Sequence, residues 1–160
     1  MIDILVIIDN INKLKSENNP SKLIDYIISL EGNYFPSRIM LDKARAIQIS
    51  EGNDYDLEDS KKIFEMILRI EPDYIPAYIE MGYYTDTVLD EPKAAIDIID
   101  KGIMKAQHLL DELIIVKAQA LYSMGKYKEA AGLRELLCSK DEKIIEQFDS
   151  MERDVTDTTP

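Results

Sequence analysis

The apolar residues of this chain recur at helical spacing in three stretches of similar length. Each stretch opens on a small residue, and these residues, Ser60, Ala95 and Ala130, lie 35 positions apart. The residues at offsets of 3, 4, 7 and 8 are apolar except Gly102 and Arg134, and these offsets place side chains on one face of a helix. The pattern predicts three amphipathic helices, each with a small residue where another helix approaches closely. The positions at these offsets are Ile63, Phe64, Ile67 and Leu68, then Ile98, Ile99, Gly102 and Ile103, then Leu133, Arg134, Leu137 and Cys138.

A second series of small residues precedes the first and indicates another helix in each stretch. The segment KARAI, from Lys43 to Ile47, recurs as KAQAL from Lys117 to Leu121, and Gly82 holds the matching small position between them. Turn-forming residues separate the two series in every stretch. Two helices in each unit of about 35 residues predict a helical solenoid. The turn segments are 52–54, 90–92 and 125–126.

The stretch from Ala118 to Ala130 resembles part of a tetratricopeptide repeat. Ala118 resembles the small residue of the family's first helix, and Tyr122 resembles its aromatic residue. Gly125 and Tyr127 resemble the turn residues, and Ala130 resembles the alanine of the second helix. The resemblance extends over about residues 37–140 and gives about three repeats.

The second stretch resembles the opening of the same repeat. Tyr78, Met81 and Gly82 resemble the W-x-x-L-G motif, and Pro72 stands where the family places a proline between repeats. The chain departs from the family pattern in a longer first turn, over 52–57, and in having no tryptophan. These departures concern the angles between repeats more than the fold.

The resemblance implies an all-α fold: a right-handed helical-repeat solenoid of antiparallel helix pairs within a single domain over 1–153. Because a terminal repeat exposes an apolar flank, both ends need covers. We expect N-terminal helices or a degenerate leading repeat at one end. A capping helix, opened by Ser139 and Glu142, is expected at the other end, followed by a disordered polar tail. The expected segments are 1–36 for the N-terminal helices, 37–72, 73–108 and 109–140 for the repeats, 141–153 for the capping helix and 154–160 for the tail.

Charge and composition restrict the classes of partner. The 160 residues include 19 Lys and Arg against 31 Asp and Glu, a formal net charge of −12. Because this charge repels phosphate backbones and anionic lipids, we expect neither a nucleic acid nor a membrane as partner. A basic protein partner is compatible with it, and an acidic surface also serves solubility alone. One cysteine excludes an intramolecular disulfide, and the short N-terminal apolar run has no basic residues before it. We therefore expect a cytoplasmic protein.

The acidic turn of the first repeat partly matches a calcium-binding loop. Asp54, Asp56, Glu58 and Glu65 occupy the first, third, fifth and twelfth positions of such a loop. Asp59, however, stands where the loop needs a glycine for its sharp turn. We prefer an acidic turn whose carboxylates cap the next helix, an arrangement that the helix dipole favours.

No other pattern predicts catalysis or a cofactor. His108 has no companion at metal-ligand spacing and is expected near the end of a helix. Cys138 is expected to be a small core residue on the buried face of the third repeat's second helix. The sequence contains no phosphate loop and no metalloprotease motif. We therefore expect a non-enzyme with no cofactor and no bound metal.

The remaining candidate site is the surface that the first helix of each repeat lines in this family. The resemblance implies that this surface is concave and binds a protein or peptide. Tyr83 and Tyr122 are the expected anchors, since tyrosine offers a large contact area at low entropic cost. The alternative for both tyrosines is packing between helices. The residues carried over by position are Leu41, Arg45, Gln48, Ile79, Tyr83, Asp86, Ile115, Gln119 and Tyr122.

The sequence favours a non-catalytic protein-binding module and leaves its partner open. Family members that bind chaperone tails use cationic and amide residues where this chain has Leu41, Arg45, Glu112 and Val116, so that subtype is not expected. Three alternatives stay open: a generic adaptor, an acidic bacterial immunity protein that neutralises a basic toxin, and a secretion chaperone of the repeat type. A calcium-responsive regulator rests only on the turn from Asp54 to Glu65.

Overall fold

The structure is a computed structural model that describes residues 4–30, 36–50, 55–138 and 142–156. Every regular element in these ranges is a helix, so the predicted all-α class is confirmed for them. The chain divides into two compact units, 1–99 and 100–160, where the sequence predicted one domain. The elements are α1 (Ile4–Ser16), α2 (Pro20–Ser29), α3 (Ser37–Ile49), α4 (Leu57–Ile70), α5 (Ile75–Thr87), α6 (Pro92–Ser123), α7 (Tyr127–Gly132), a 3-10 helix (Leu133–Leu136) and α8 (Glu142–Thr156).

None of the helices in the described ranges combines the length and apolar character that a membrane crossing requires.

Local sequence signals explain where several helices begin. The N-cap of α2 is Asn19, whose side-chain oxygen accepts a hydrogen bond from the Lys22 amide at 3.1 Å. A reciprocal capping box between Asp56 and Asp59 opens α4. Proline occupies the first turn of α2, α5 and α6, where an amide proton has no intrahelical acceptor. The polar and proline-containing turns of the sequence therefore coincide with helix starts.

In unit 1, each of the helices from α1 to α5 packs against the next one along the chain. Their apolar faces bury two clusters, one shared by α1, α2 and α3 and the other by α3, α4 and α5. In the second cluster, the fully buried rings of Phe64 and Tyr84 meet edge to face with centroids 6.2 Å apart. The first cluster contains Ile7, Ile11, Leu23, Ile24, Ile27, Ile39, Ala46 and Ile47, and the second also contains Leu41, Ala44, Ile67, Ala77 and Met81.

Two small residues singled out by the repeat, Ser60 and Gly82, lie at tight contacts between helices of unit 1. Ser60 of α4 is fully buried and donates a hydrogen bond from its hydroxyl to the Ala44 carbonyl of α3 at 2.9 Å. A Cβ atom placed on Gly82 of α5 would come within 2.7 Å of Cγ1 of Ile99 on α6. A larger residue at Ser60 would press on the Ala44 carbonyl, and one at Gly82 would press on the Ile99 side chain. The predicted close approaches at Ser60 and Gly82 are therefore confirmed.

Unit 2 has its own core, formed by the C-terminal part of α6, the 3-10 helix and α8. Ala118 and Ala130, the small residues of the third repeat, are both fully buried. Asp111 is fully buried as well, and its carboxylate accepts a hydrogen bond from the Cys138 amide at 2.7 Å. This bond ties the segment after the 3-10 helix to α6. The core residues are Ile114, Ile115, Ala118, Leu133, Ile144 and Phe148.

A single helix, α6, runs through the predicted boundary between the second and third repeats, at 108 and 109. The sequence predicted that His108 lies near a helix end. It lies instead in the interior of a 32-residue helix, so that prediction is wrong. The physical reason is local, since residues 103–124 contain neither glycine nor proline and consist largely of good helix formers. In this segment the intrinsic helix propensity prevails over the turn that the repeat period predicts.

The second helix of the third repeat is much shorter than predicted. It ends at Gly132, where the chain tightens into the 3-10 helix, and Leu137 is already extended. Cys138 is consequently exposed, so the prediction of a buried core cysteine is wrong. Glycine in place of alanine weakens a helix by roughly 1 kcal/mol, so Gly132 is a weak position at the end of α7.

The C-terminal capping helix α8 runs further than predicted. Its last residue is Thr156, so the predicted disordered tail is wrong for residues 154–156. The segment 142–156 contains no glycine or proline, and Arg153 in the last turn suits the negative end of the helix dipole. Ser139 of the predicted capping box and residues 157–160 lie outside the described residues.

Candidate partner-binding surface

Four charged side chains form a ladder across α1, α3 and α5 in unit 1. Lys15 of α1 contacts Asp42 of α3 with Nζ 2.7 Å from Oδ1. Arg45, one turn further along α3, contacts the same oxygen at 3.6 Å and the Glu80 carboxylate of α5 at 2.6 Å. The ladder therefore links three helices that are not neighbours along the chain.

The centre of the ladder is a buried carboxylate with two cationic partners. Asp42 is only 5% exposed, while Lys15 and Arg45 are 41% and 44% exposed. A buried charge is tolerated when it is paired in this way, and each of the two cations compensates part of the Asp42 charge. The hydrogen bond to Glu80 raises the pKa of Arg45, which keeps the guanidinium charged. The ladder therefore fixes the edges of α1, α3 and α5 relative to one another.

A cleft of about 230 Å³ lies beside the ladder, between the α1–α2 turn and α3. Its walls are largely apolar and include Leu14, Leu23 and Ile49, and its polar side is formed by ladder residues together with Asn18 and Asn19. Ile49 is 68% exposed and forms part of the rim. A cleft with apolar walls and few polar groups has the composition typical of binding sites.

Tyr83 extends this surface along α5. Its side chain is 65% exposed, whereas the neighbouring Gly82 is buried against Ile99. The alternative that Tyr83 packs between helices is therefore excluded. Ile79, one turn before it, is 44% exposed. We call this surface the ladder face; it comprises Lys15, Asp42, Arg45, Glu80, Ile49, Ile79 and Tyr83.

Two of the predicted binding residues are core residues. Leu41 is 1% exposed and belongs to the cluster of α3, α4 and α5, and Ile115 is 4% exposed in the core of unit 2. Both predictions are therefore wrong. Two residues four positions apart in a helix differ in direction by about 40°. Here that difference separates a buried residue from an exposed one in two places: Leu41 from Arg45, and Ile115 from Gln119.

The other predicted binding residues are distributed over both units. Gln48 is half-buried and Asp86 is exposed, both in unit 1, and Gln119 is exposed in unit 2. Tyr122 is half-buried against the core of unit 2, and its ring centroid lies 6.2 Å from that of Tyr127. Tyr122 therefore has the packing role that the sequence left as its alternative.

Sequence reasoning missed Lys15, Asp42, Glu80 and Ile49 as members of the surface. Glu80 follows Arg45 by 35 residues, but in the register of the first helices, where Ala44 matches Gly82, Arg45 matches Tyr83. The repeat therefore gave no signal for this ion pair. Asp42 gave none either, since a lone aspartate in a helix is usually solvated.

The acidic turn before α4 has the capping role that the sequence favoured. The Asp59 amide donates to Oδ1 of Asp56 at 3.0 Å, and the Asp56 amide donates to Oδ2 of Asp59 at 3.2 Å. A hydrogen bond from Lys62 and the one from the Asp56 amide lower the pKa of Asp59. The preferred interpretation is therefore confirmed for Asp56 and Asp59, while Asp54 lies outside the described residues.

Among the residues whose positions are described, no cluster of histidine, cysteine, aspartate and glutamate has metal-binding geometry. The chain matches no protein-family model, no curated protein and no solved structure.

Proposed function

We propose that the chain is a non-catalytic binding module whose ladder face binds a protein or peptide. The observation that carries this proposal is the exposure of Tyr83 beside a fixed charge ladder. An aromatic side chain held on a rigid helix loses little entropy on binding and is typical of binding hot spots. Ile49 and Ile79 add exposed apolar area to the same face.

The ladder itself contributes rigidity more than attraction. Its two cations, Lys15 and Arg45, balance its two carboxylates, Asp42 and Glu80. The ladder face is therefore locally neutral, although the chain as a whole has a formal charge of −12. Apolar contacts on the face then determine how long a partner stays, and the acidic surface elsewhere steers a basic partner and raises its association rate.

The net charge favours one specific subtype, an acidic inhibitor of a basic protein such as an immunity protein that neutralises a toxin. A steep fall in association rate with added salt supports this subtype. An adaptor or a secretion chaperone that binds an extended apolar segment instead has an association rate that depends weakly on salt.

Site-specific photo-crosslinking tests the proposal and captures the partner in the same experiment. A photoreactive phenylalanine analogue replaces Tyr83 in one variant and Tyr127, a tyrosine of unit 2 that is 45% exposed, in the matched control. We expect a discrete crosslinked product from position 83 in the native cell extract and none of the same mass from position 127. Equal products from both positions, or none from position 83, would contradict the proposal.

A further inference from the structure

The cleft beside the ladder has apolar walls from three helices of unit 1. Leu14 of α1, Leu23 of α2 and Ile49 of α3 line it. Pro20, in the first turn of α2, and the buried Ala46 of α3 add to the same walls. An occupant of the cleft therefore meets hydrocarbon on most sides, which favours an apolar group over a hydrated one.

The volume of the cleft fits a single side chain better than a small-molecule ligand. Sites for cofactors and small molecules generally have volumes of about 300–1,000 Å³, whereas this cleft measures about 230 Å³. An apolar cavity of about 150 Å³ is already large enough to hold benzene. The cleft therefore has room for one six-membered ring and its attachment to a backbone, and it is small for a cofactor.

The polar side of the cleft presents cations to an occupant. Lys15 and Arg45 line it with side chains that are 41% and 44% exposed, whereas Asp42, which both of them contact, is only 5% exposed. The other polar residues of the cleft, Asn18 and Asn19, carry no charge. A carboxylate that entered the cleft would lose its hydration against apolar walls, but the face of an aromatic ring attracts a cation without that loss. The exposed cations therefore favour an aromatic occupant over an acidic or an aliphatic one.

Unit 1 contains one contact of this chemistry within its own chain, because the ammonium group of Lys43 lies over the Tyr55 ring, 5.0 Å from its centroid. We propose that the cleft receives one uncharged aromatic side chain of the protein or peptide that the ladder face binds, an inference that rests on the proposed function. The ring packs against the apolar walls, and its face lies against the two cations of the polar side. The partner therefore has an exposed phenylalanine or tyrosine in the segment that contacts the ladder face.

A titration with side-chain analogues tests the cleft on the intact chain without the partner. The phenyl probe is N-acetylphenylalanine methylamide, and the anionic comparison is the corresponding aspartate compound. The phenyl probe is expected to shift the backbone NMR signals of Leu23, Ala46 and Ile49 saturably, and the aspartate compound is expected to leave them in place. No saturable shift with the phenyl probe, or an equal shift with the aspartate compound, would overturn the proposal.

Lys15→Gln tests the contribution of a cation to binding of the ring. The comparison probe is the cyclohexylalanine compound, which has a similar shape but no π-face, and the ratio of its Kd to that of the phenyl probe is measured in each protein. Loss of the cation is expected to lower this ratio about two- to five-fold. Lys22→Gln removes an exposed lysine of α2 that does not line the cleft, and its ratio should equal that of the wild type. An unchanged ratio in Lys15→Gln would overturn the assignment of an aromatic occupant.

Competition between the phenyl probe and the partner captured through position 83 separates this inference from the proposed function. With the wild-type chain, the probe at about ten times its own Kd is expected to raise the apparent Kd of the partner about tenfold. A partner that crosslinks at position 83 but keeps its Kd in the presence of the probe would overturn the cleft inference and leave the proposed function standing. The absence of any crosslink at position 83 would instead contradict the proposed function, even where the probe binds the cleft.

Discussion

Gly82 offers a sharp test of the helix packing in unit 1. In Gly82→Ala, the new Cβ would lie within 2.7 Å of Cγ1 of Ile99, closer than carbon atoms can approach, so the Ile99 side chain or the helices must move. Overpacking of this kind costs about 1–3 kcal/mol, and replacing glycine by alanine inside a helix returns up to about 1 kcal/mol. We therefore expect a net loss of up to about 2 kcal/mol in the free energy of unfolding.

Gly132→Ala is the matched control, because a Cβ at Gly132 meets no atom within 4 Å and the glycine has no left-handed backbone. This change is expected to be neutral or stabilising by up to about 1 kcal/mol. Urea denaturation of both variants measures the two effects. A second background, Ile99→Ala, removes the obstructing side chain. In that background, Gly82→Ala is expected to lower the free energy of unfolding by much less than in the wild type. Gly82→Ala and Gly132→Ala variants of equal stability would refute the close approach of α5 and α6.

Three further outcomes are expected. Ser60→Ala removes the buried hydrogen bond to the Ala44 carbonyl and should lower the free energy of unfolding by roughly 0.5–1.5 kcal/mol in urea denaturation; an unchanged midpoint would contradict the role of that bond. The folded state lowers the pKa of Asp59, so the ionised Asp59 side chain stabilises the fold. This stabilisation is complete above the pKa that Asp59 has in the unfolded chain, and it is lost as the pH falls through the lower pKa of the folded state. Acid unfolding of Asp59→Asn should accordingly vary less with pH below about pH 4 than that of the wild type, and identical profiles would argue against the shift. Calcium at about millimolar concentration should leave the melting temperature unchanged, since Asp56 and Asp59 already cap α4; a clear rise would restore the calcium-loop interpretation.

The sequence predicted the parts of the fold that depend on local spacing. The recurrence of small residues predicts close helix approaches at Ser60 and Gly82, and these residues lie against Ala44 and Ile99. Both contacts need a small side chain, since a larger one would press on the Ala44 carbonyl or on the Ile99 side chain. The capping role of Asp56 and Asp59 was predictable for a similar reason, since both carboxylates lie within reach of the first turn of α4.

The features that the sequence did not predict depend on competition between local and longer-range effects. A repeat period places a turn near His108, but the segment contains no residue that breaks a helix, and α6 is continuous there. The reverse case is α7, which ends at the helix-weakening Gly132 earlier than the repeat spacing predicts and leaves Cys138 exposed. Repeat spacing alone does not show which effect is stronger.

The candidate site was only partly predictable. Tyr83 was identified because it follows the small Gly82, and the structure places it on the surface. The charge ladder depends on which side chains of α1, α3 and α5 meet across helices, and the sequence gives no distance between Lys15 and Asp42. Leu41 was misassigned because one helical turn separates a core position from the surface position of Arg45.

The most direct test of the ladder face is the affinity of Tyr83→Ala for the partner identified by crosslinking, measured beside Tyr127→Ala. Loss of a hot-spot tyrosine costs about 2 kcal/mol of binding free energy, so Kd should rise about 30-fold for Tyr83→Ala. Kd for Tyr127→Ala should stay unchanged. Because Tyr83 is 65% exposed, the unfolding midpoint of its variant should equal that of the wild type. A Tyr83→Ala variant that binds the partner as tightly as the wild type would contradict the assignment of this surface as the binding site.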